Sequence, residues 1–271
     1  MRILFIGDIF GRSGREALEK HLPQLRGKLK PDVVIVNGEN AAHGIGITAK
    51  MCEEFYALKV DCITTGNHVW DQREIIPYIA RDEKLLRPAN YPPTSPGKGH
   101  YKFTLSDGRK ILIINAMCRV FMDQIDDPIR IVNEIVSSEK LGQSVQAIFL
   151  DLHGEASSEK MSMGHYLDGR ISALVGTHTH IPTADAHIMV GGTGYQTDAG
   201  MTGDYNSVIG VRKDIPVQKF VNKMPGEKMI PAGDEATLCG TFIITDDNTG
   251  LCEAIEPVRV GPRLHNTIPQ I

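Results

Sequence analysis

The chain has 271 residues, of which 41% are hydrophobic and 23% charged, a composition typical of a globular protein with a sizeable core. Its formal net charge of −4 excludes a general electrostatic attraction to nucleic acid or anionic lipid. No apolar stretch approaches the ~20 residues of a membrane span, and the first residues form a strand-like run rather than a signal peptide. We therefore expect a single cytoplasmic domain over residues 1–271, without membrane contact.

The first predicted strand, residues 3–8, is followed by a predicted amphipathic helix over residues 14–29, which Pro23 is expected to bend or interrupt. A second strand over residues 33–36 leads to a helix that begins after Thr48, a typical capping residue. The buried stripe of this helix is predicted to consist of Met51, Phe55 and Leu58. The chain thus begins with two strand–helix units.

A third unit consists of a strand over residues 62–65 and a helical stretch around residues 74–80. Three consecutive units of this kind predict a right-handed, mostly parallel sheet. Further strands are expected over residues 101–105 and 111–115, joined by a tight turn, before a helix over residues 128–140 that begins with proline. This alternation of strands and helices is typical of the α/β class.

The second half of the chain contains two more buried strand runs, residues 147–153 and 171–180. The glycine-rich segment 191–210 has no periodicity and is predicted to be a long loop close to the functional site. Residues 237–244 and 251–258 are predicted to form an antiparallel hairpin near the C-terminus. The sequence shows no internal repeat and no domain linker.

Five of the apolar runs end in polar residues that are suited to binding metal ions. Open α/β sheets place their ligands at the carboxyl ends of the strands. If the five runs lie parallel in one sheet, their ends meet in one crevice. The side chains brought together there would be Asp8, Glu39, Asn40, Asn67, His153, His178 and His180. This set contains enough ligands for two metal ions.

The residue types in this set indicate phosphoester hydrolysis. Two divalent ions need a carboxylate to bridge them, and Glu39 is the natural bridge. The i, i+2 spacing of His178 and His180 lets both imidazoles point the same way if the backbone is extended. A metal pair activates a shared water and clamps a phosphoryl group from two sides. Iron and manganese suit oxygen and imidazole ligands without thiolate, and zinc stays open.

The order and spacing of these motifs resemble the calcineurin-like metallophosphoesterase superfamily, and more closely its YmdB-like branch of bacterial phosphodiesterases. The resemblance covers nearly the whole chain and includes the segments Gly-Asp-Ile-Phe-Gly at 7–11 and Gly-Glu-Asn-Ala-Ala at 38–42. It implies a four-layer α/β/β/α sandwich with largely parallel strands and the C-terminal antiparallel hairpin. It also implies two divalent ions, one held by Asp8, Glu39, Asn40 and His180 and the other by Glu39, Asn67, His153 and His178.

The sequence departs from the superfamily pattern in four places. Phe10 stands where the first motif has a histidine, and Asn40 is expected to fill the position vacated there. His68 is followed by Val69 instead of glutamate, so Asp71 is expected to orient the His68 ring. The other two departures are Glu39 in place of aspartate and an additional residue, Thr177, in the last motif.

The resemblance implies a phosphodiesterase, with 2′,3′-cyclic nucleotides as the expected substrates and RNA as a further candidate. Hydroxide bridging the two ions would attack phosphorus in line. His68 resembles the family's histidine that is not a metal ligand, so it would stabilise the pentavalent state or protonate the leaving oxygen. A homo-oligomer is compatible with an enzyme of this size, although no residue pattern identifies its interface.

Three rival functions remain open from the sequence. A phosphomonoesterase or nucleotidase would use the same metal chemistry. A regulatory protein could keep the metal site and act mainly through partners. The Gly-x-Gly-x-x-Ala pattern at residues 44–49 is typical of a dinucleotide-binding module, but no acidic residue ends the strand that follows.

Four other residues are candidates for substrate contacts. Arg12 lies at a predicted helix start that suits a phosphate, although a solvated helix start has the same composition. His43 follows the metal cluster closely in sequence and is expected to meet a phosphate. Asp198 and Tyr205 in the glycine-rich loop are expected to shape the substrate pocket, although turns use the same residue types.

Overall fold

The first of two β-sheets combines strands from the N-terminal and C-terminal parts of the chain. A computed structural model describes residues 1–224 and 226–270. The strand order of this sheet is β11-β10-β1-β2-β3, with β1 at Arg2–Ile6, β2 at Val33–Asn37, β3 at Cys62–Thr64, β10 at Leu238–Thr245 and β11 at Cys252–Val260. Strands β1, β2 and β3 are parallel, whereas β10 is antiparallel to both β1 and β11. The predicted C-terminal hairpin is therefore confirmed, and it extends the sheet beside β1.

The second sheet is formed by the middle of the chain. Its order is β4-β5-β6-β7-β9-β8, with β4 at His100–Thr104, β5 at Lys110–Met117, β6 at Ala147–His153, β7 at Ala173–Thr177, β8 at His187–Ile188 and β9 at Gly194–Gln196. Strands β5, β6, β7 and β9 are parallel, and the edge strands β4 and β8 are antiparallel to their neighbours. The segment 191–210 is thus not a loop throughout, because β9 lies within it.

Six helices are described: α1 at Gly11–Leu29, α2 at Ala49–Ala57, α3 at Ile75–Ile79, α4 at Pro128–Ser137, α5 at Ser157–Leu167 and α6 at Asp214–Asn222. The expected interruption at Pro23 is wrong, since α1 continues through it. Leu22 and Leu25 on either side of the proline are buried against the first sheet, and this packing offsets the lost backbone hydrogen bond.

The start of α2 is as predicted. The Thr48 hydroxyl accepts a hydrogen bond from the amide of Met51 at 3.3 Å. The buried stripe differs in part, because Cys52 and Phe55 are fully buried while Met51 and Leu58 are only partly covered.

Four layers follow from the alternation of side chains along the strands. In β1, Ile3 and Phe5 pack between the two sheets, whereas Leu4 and Ile6 face the cluster formed with α1, α2 and α3. In β5, Ile113 packs between the sheets and Leu112 faces α4 and α5. This confirms the predicted α/β/β/α sandwich.

The expectation that the five metal-binding runs share one sheet is wrong. Strands β1, β2 and β3 belong to the first sheet, and β6 and β7 belong to the second. Runs that are buried on both faces look alike in sequence whichever sheet they join, so the pattern could not separate them. The carboxyl ends nevertheless meet, since the Asn37 amide at the end of β2 donates to Asp151 of β6 at 2.9 Å. None of the described helices is both long and apolar enough to cross a membrane.

Candidate metal centre

The seven predicted ligands lie where strands of the two sheets end. Asp8 follows β1, and Glu39 and Asn40 follow β2. Asn67 follows β3, His153 is the last residue of β6, and His178 and His180 follow β7. Asp8, Glu39, Asn40, His153 and His180 are buried, and Asn67 and His178 are partly covered. The centre is therefore assembled across both sheets.

Ligand atoms converge at two positions that share one carboxylate. Glu39, His153 and His178 each offer an atom within 4.8 Å of the others, and so do Asp8, Glu39 and His180. Glu39 is common to both groups. Each group could hold a cation, and Glu39 could then contribute to both positions.

The two asparagines lie beside these groups. The Asn67 Oδ1 atom is 2.9 Å from His153 Nε2. The Asn40 side-chain amide donates to the carbonyl of Gly44 at 2.9 Å, and its Oδ1 atom is buried without a hydrogen-bond partner. Each amide oxygen is thus available as a ligand.

The ring of His153 is held in one tautomer. Thr177 donates its hydroxyl proton to Asp151 at 2.7 Å, so its oxygen accepts the Nδ1 proton of His153, 3.0 Å away. The Nε2 atom of His153 then carries a lone pair, as a metal-binding imidazole requires.

His180 and His178 also each use one ring nitrogen for a contact within the protein. His180 donates from Nδ1 to the carbonyl of Ile209 at 2.8 Å. His178 Nε2 lies 3.3 Å from the Glu155 carboxylate, and its Nδ1 atom lies 3.1 Å from His153 Nε2. Each imidazole therefore bonds through one nitrogen and leaves the other free to bind a cation.

Buried oxygens without partners show that these residues fit divalent cations. Asp8 Oδ1, Glu39 Oε1 and Asn40 Oδ1 are all buried and accept no hydrogen bond. Glu39 Oε1 lies 3.2 Å from His153 Nε2 without a hydrogen bond between them. Leaving such groups unpaired costs about 1–3 kcal/mol each, and more when they are charged. A cation removes that cost at three positions at once.

The pKa values of the candidate ligands are shifted by burial and by neighbouring charges. Burial raises the pKa of Asp8 well above its usual value, and the neighbouring Asp198 and Glu39 carboxylates add to this rise. For Glu39 burial raises the pKa, but the positive charge of His153 in its protonated form outweighs burial and lowers the pKa to about 2. Burial and the nearby His153 lower the pKa of His178 to about 3. The ionised Glu39 and the neutral His178 are therefore suited to binding a divalent ion, and a cation beside Asp8 would favour the ionised form of that carboxyl group.

His68 lies beside the two groups and belongs to neither. Its Nδ1 atom is 2.7 Å from Asp71 Oδ2, the residue predicted to orient it. Its backbone amide lies 3.3 Å from Glu39 Oε2, and its side chain is 33% exposed. The His68 backbone is thus bound to the Glu39 carboxylate while its ring stays accessible.

The backbone that carries His178 and His180 is not extended, so that expectation is wrong. Their φ angles are 98° and 67°, which L-residues rarely adopt. The buried Asp198 carboxylate accepts the Thr179 amide at 3.1 Å and pairs with Lys160 at 3.0 Å. These contacts hold the strained loop in place.

The four candidate substrate residues are placed differently from one another. Asp198 is fully buried, and the Tyr205 hydroxyl donates to the His180 carbonyl at 3.2 Å, so both contact the loop that carries His178 and His180. Arg12 pairs with Glu16 at 2.8 Å, and its side chain is 85% exposed. His43 is exposed at a left-handed position with a φ of 55°. The glycine-rich loop suggested a pocket because turns and binding loops use the same residue types.

The sequence did not reveal which residues hold the candidate ligands in position. Asp151 and Thr177 set the His153 tautomer, and Lys160 and Glu155 hold the His178 loop. The available signal was a carboxylate within the apolar run of β6, which a buried strand tolerates only when the charge has donors around it.

Comparison with known proteins supports the motif assignment. A sequence profile of YmdB-like proteins matches residues 4–258. The chain is 41% identical over 261 residues to the 2′,3′-cyclic-nucleotide 2′-phosphodiesterase of Bacillus subtilis strain 168, covering 96% of this chain and 97% of that protein.

Two solved structures share the fold. A hypothetical protein from Thermus thermophilus matches with a TM-score of 0.89 and 39% identity, covering 96% of this chain and 99% of that chain. A novel phosphatase from Mycoplasma pneumoniae matches with a TM-score of 0.89 and 31% identity, covering 96% and 93%. By its sequence profile, its relatives and its fold, the chain belongs to the YmdB-like family.

Proposed function

We propose that this protein is a dinuclear-metal phosphodiesterase that opens 2′,3′-cyclic nucleotides. The family relationship supports a phosphodiesterase, and the candidate ligand groups support its dependence on metal. The observation that carries the two-metal proposal is the pair of ligand groups that share Glu39. The name of the Bacillus subtilis relative supports the choice of cyclic nucleotide.

Seven residues would hold the metals. Asp8, Asn40 and His180 would bind one ion, and Asn67, His153 and His178 the other, with Glu39 shared. Bound divalent ions supply a water of lowered pKa and neutralise the charge that develops on the phosphoryl group. The absence of thiolate from both groups favours iron or manganese, with zinc open.

His68 would act on the leaving group. Its Nδ1 atom bonds to Asp71 at 2.7 Å, so the ring is oriented and Nε2 is the nitrogen available to the substrate. In its protonated form His68 would donate from Nε2 to the leaving ribose oxygen as the phosphorus–oxygen bond breaks. Asp71 would keep the ring at the required angle.

A substrate panel with metal analysis tests this proposal. Wild-type protein loaded with manganese or iron should hydrolyse 2′,3′-cyclic AMP faster than 3′,5′-cyclic AMP or AMP. It should retain about two ions per chain by elemental analysis. Glu39→Gln should retain fewer ions and lose activity, whereas Glu16→Gln on the surface of α1 should behave as wild type.

The panel also separates the alternatives. Preference for AMP would support a nucleotidase, in line with the phosphatase named among the solved structures. Fewer than one retained ion per chain, with no turnover restored by metal, would count against the enzyme proposal altogether. A biological role that survives in Glu39→Gln would support a regulatory protein.

A further inference from the structure

An apolar groove of about 640 Å³ lies beside the metal centre. Its apolar lining includes the side chains of Phe10, Ile45, Val211, Met229 and Pro231. The volume falls within the range of about 300–1,000 Å³ that is usual for small-molecule sites. The groove plays no part in binding the metals.

Two contacts link the lining of the groove to the candidate metal centre. The ring of Phe10 packs edge-on against His180, with ring centroids 5.3 Å apart. On the other side, Gln72 donates from Nε2 to the carbonyl of Ile45 at 2.9 Å, which ties the groove wall to the segment that carries His68 and Asp71. A substrate with its phosphate on the metals would have this groove within reach of its remaining part.

The position of Phe10 is fixed by its neighbours. Gly44 has a φ of 90°, and a Cβ atom there would lie 2.9 Å from the ring. A Cβ atom on Gly210 would lie 2.7 Å from the same ring. The two glycines therefore leave room for the aromatic side chain that replaces the histidine expected in the first motif. This replacement removes a polar group and places an apolar ring, 4% exposed, between the groove and His180.

The chemistry of the groove suits a nucleoside. Aromatic and apolar side chains bind nucleobases by stacking without needing a fixed set of hydrogen bonds. Among the described residues that line the groove none is acidic, while His43 and Lys228 contribute nitrogen atoms at its edge. The groove thus combines an apolar interior with a border that does not repel a phosphate.

We propose that this groove binds the nucleobase and adjoining ribose of the substrate and so determines the preference for nucleotides. This inference rests on the proposed phosphodiesterase function, and it assigns to Ile45 and Met229 a role in recognition only. Both side chains are exposed, at 42% and 41%, so truncating them is compatible with folding.

The kinetic test compares two substrates. Ile45→Ala/Met229→Ala should raise KM for 2′,3′-cyclic AMP about tenfold, because apolar pocket contacts contribute mainly to binding. Its kcat should stay within about twofold of wild type, since neither side chain touches the metals. A methyl riboside 2,3-cyclic phosphate, which has the same reacting group without a base, should show no change in KM. Met161→Ala, at a site on α5 that is 45% exposed, is the matched control.

A binding measurement keeps this inference separate from the catalytic proposal. Adenosine, which has no phosphate, should bind to wild type and to Met161→Ala in an NMR titration and should bind more weakly to the double variant. Equal binding of adenosine to wild type and the double variant would overturn the inference, and so would equal KM changes for both cyclic phosphates. If adenosine binds in the groove but no phosphodiester is hydrolysed, the nucleoside site stands and the catalytic proposal falls.

Discussion

The buried pair of Lys160 and Asp198 gives the sharpest stability prediction. Both side chains are fully buried, and the Lys160 ammonium donates to Asp198 at 3.0 Å and to the Thr177 carbonyl at 2.7 Å. Lys160→Met keeps a chain of similar length but leaves the Asp198 carboxylate in the interior without its cation. Breaking a buried pair on one side costs about 3–5 kcal/mol. We expect Lys160→Met to lower the free energy of unfolding by about this amount.

Two comparisons isolate the effect of burial. Lys20→Met breaks a pair with Glu235 that has a distance of 2.7 Å but side chains 58% and 63% exposed, so it should leave stability almost unchanged. Lys160→Met/Asp198→Asn removes both charges and should recover part of the loss, because no isolated charge stays buried.

The assay is urea unfolding followed by circular dichroism, with and without a chelator. The loss should appear under both conditions, since the pair stabilises the fold itself. Lys160→Met should also retain less metal, because Thr177 and Thr179 flank His178 and both depend on the pair. A loss below about 1 kcal/mol, comparable with that of an exposed pair, would refute the reasoning.

Three further predictions concern the centre and one buried histidine. Thr177→Val removes the acceptor for the His153 Nδ1 proton and should weaken metal binding about 10–100-fold in a chelator competition. Thr177→Ser keeps the acceptor and should bind metal as wild type does. Equal metal affinity in the valine variant and wild type would contradict this prediction. His68→Ala should lower kcat about 10²–10⁴-fold at unchanged metal content, and parallel loss of metal would instead make His68 a ligand. Burial lowers the pKa of His21, and the positive charge of the nearby Lys20 lowers it further. The unfolded chain therefore binds more protons, and stability should fall as pH drops below about 6.5 towards the lowered pKa. His21→Gln should flatten this dependence in urea unfolding between pH 7.5 and pH 5.5, and an unchanged slope would argue against it.

The sequence predicted that the candidate ligands converge because each stands at the end of a buried strand. Asp8, Glu39 and His153 follow or end apolar runs, and the carboxyl ends of parallel strands meet at one edge. It could not predict that two sheets supply them, since the periodicity of β2 and β6 is the same in either sheet. Helix α5 was missed for a related reason. Its buried face includes Lys160 and Gly164, which conceal the apolar stripe.

The loop after β7 could not be derived from local rules. His178 and His180 were expected on an extended backbone, but both adopt positive φ because distant residues fix the chain there. Asp198 and Lys160 lie 38 positions apart in sequence and meet only in the folded structure. Strain of this kind persists where surrounding contacts outweigh it, and such contacts are a property of tertiary packing.

Asp151 explains why the two sheets and the centre form one unit. Burial raises the pKa of this carboxyl group, and hydrogen bonds from Thr64, Thr177 and Asn37 oppose that rise. These donors lie on β3, β7 and β2, at 2.5, 2.7 and 2.9 Å from the carboxylate, so a single residue of β6 links both sheets next to the candidate ligands. Because Thr177 also accepts the proton of His153, the packing of one sheet on the other sets which nitrogen of that ring faces the candidate ligand group of Glu39 and His178. The hydrogen bonds that join the two sheets at Asp151 therefore also determine the orientation of the His153 ring.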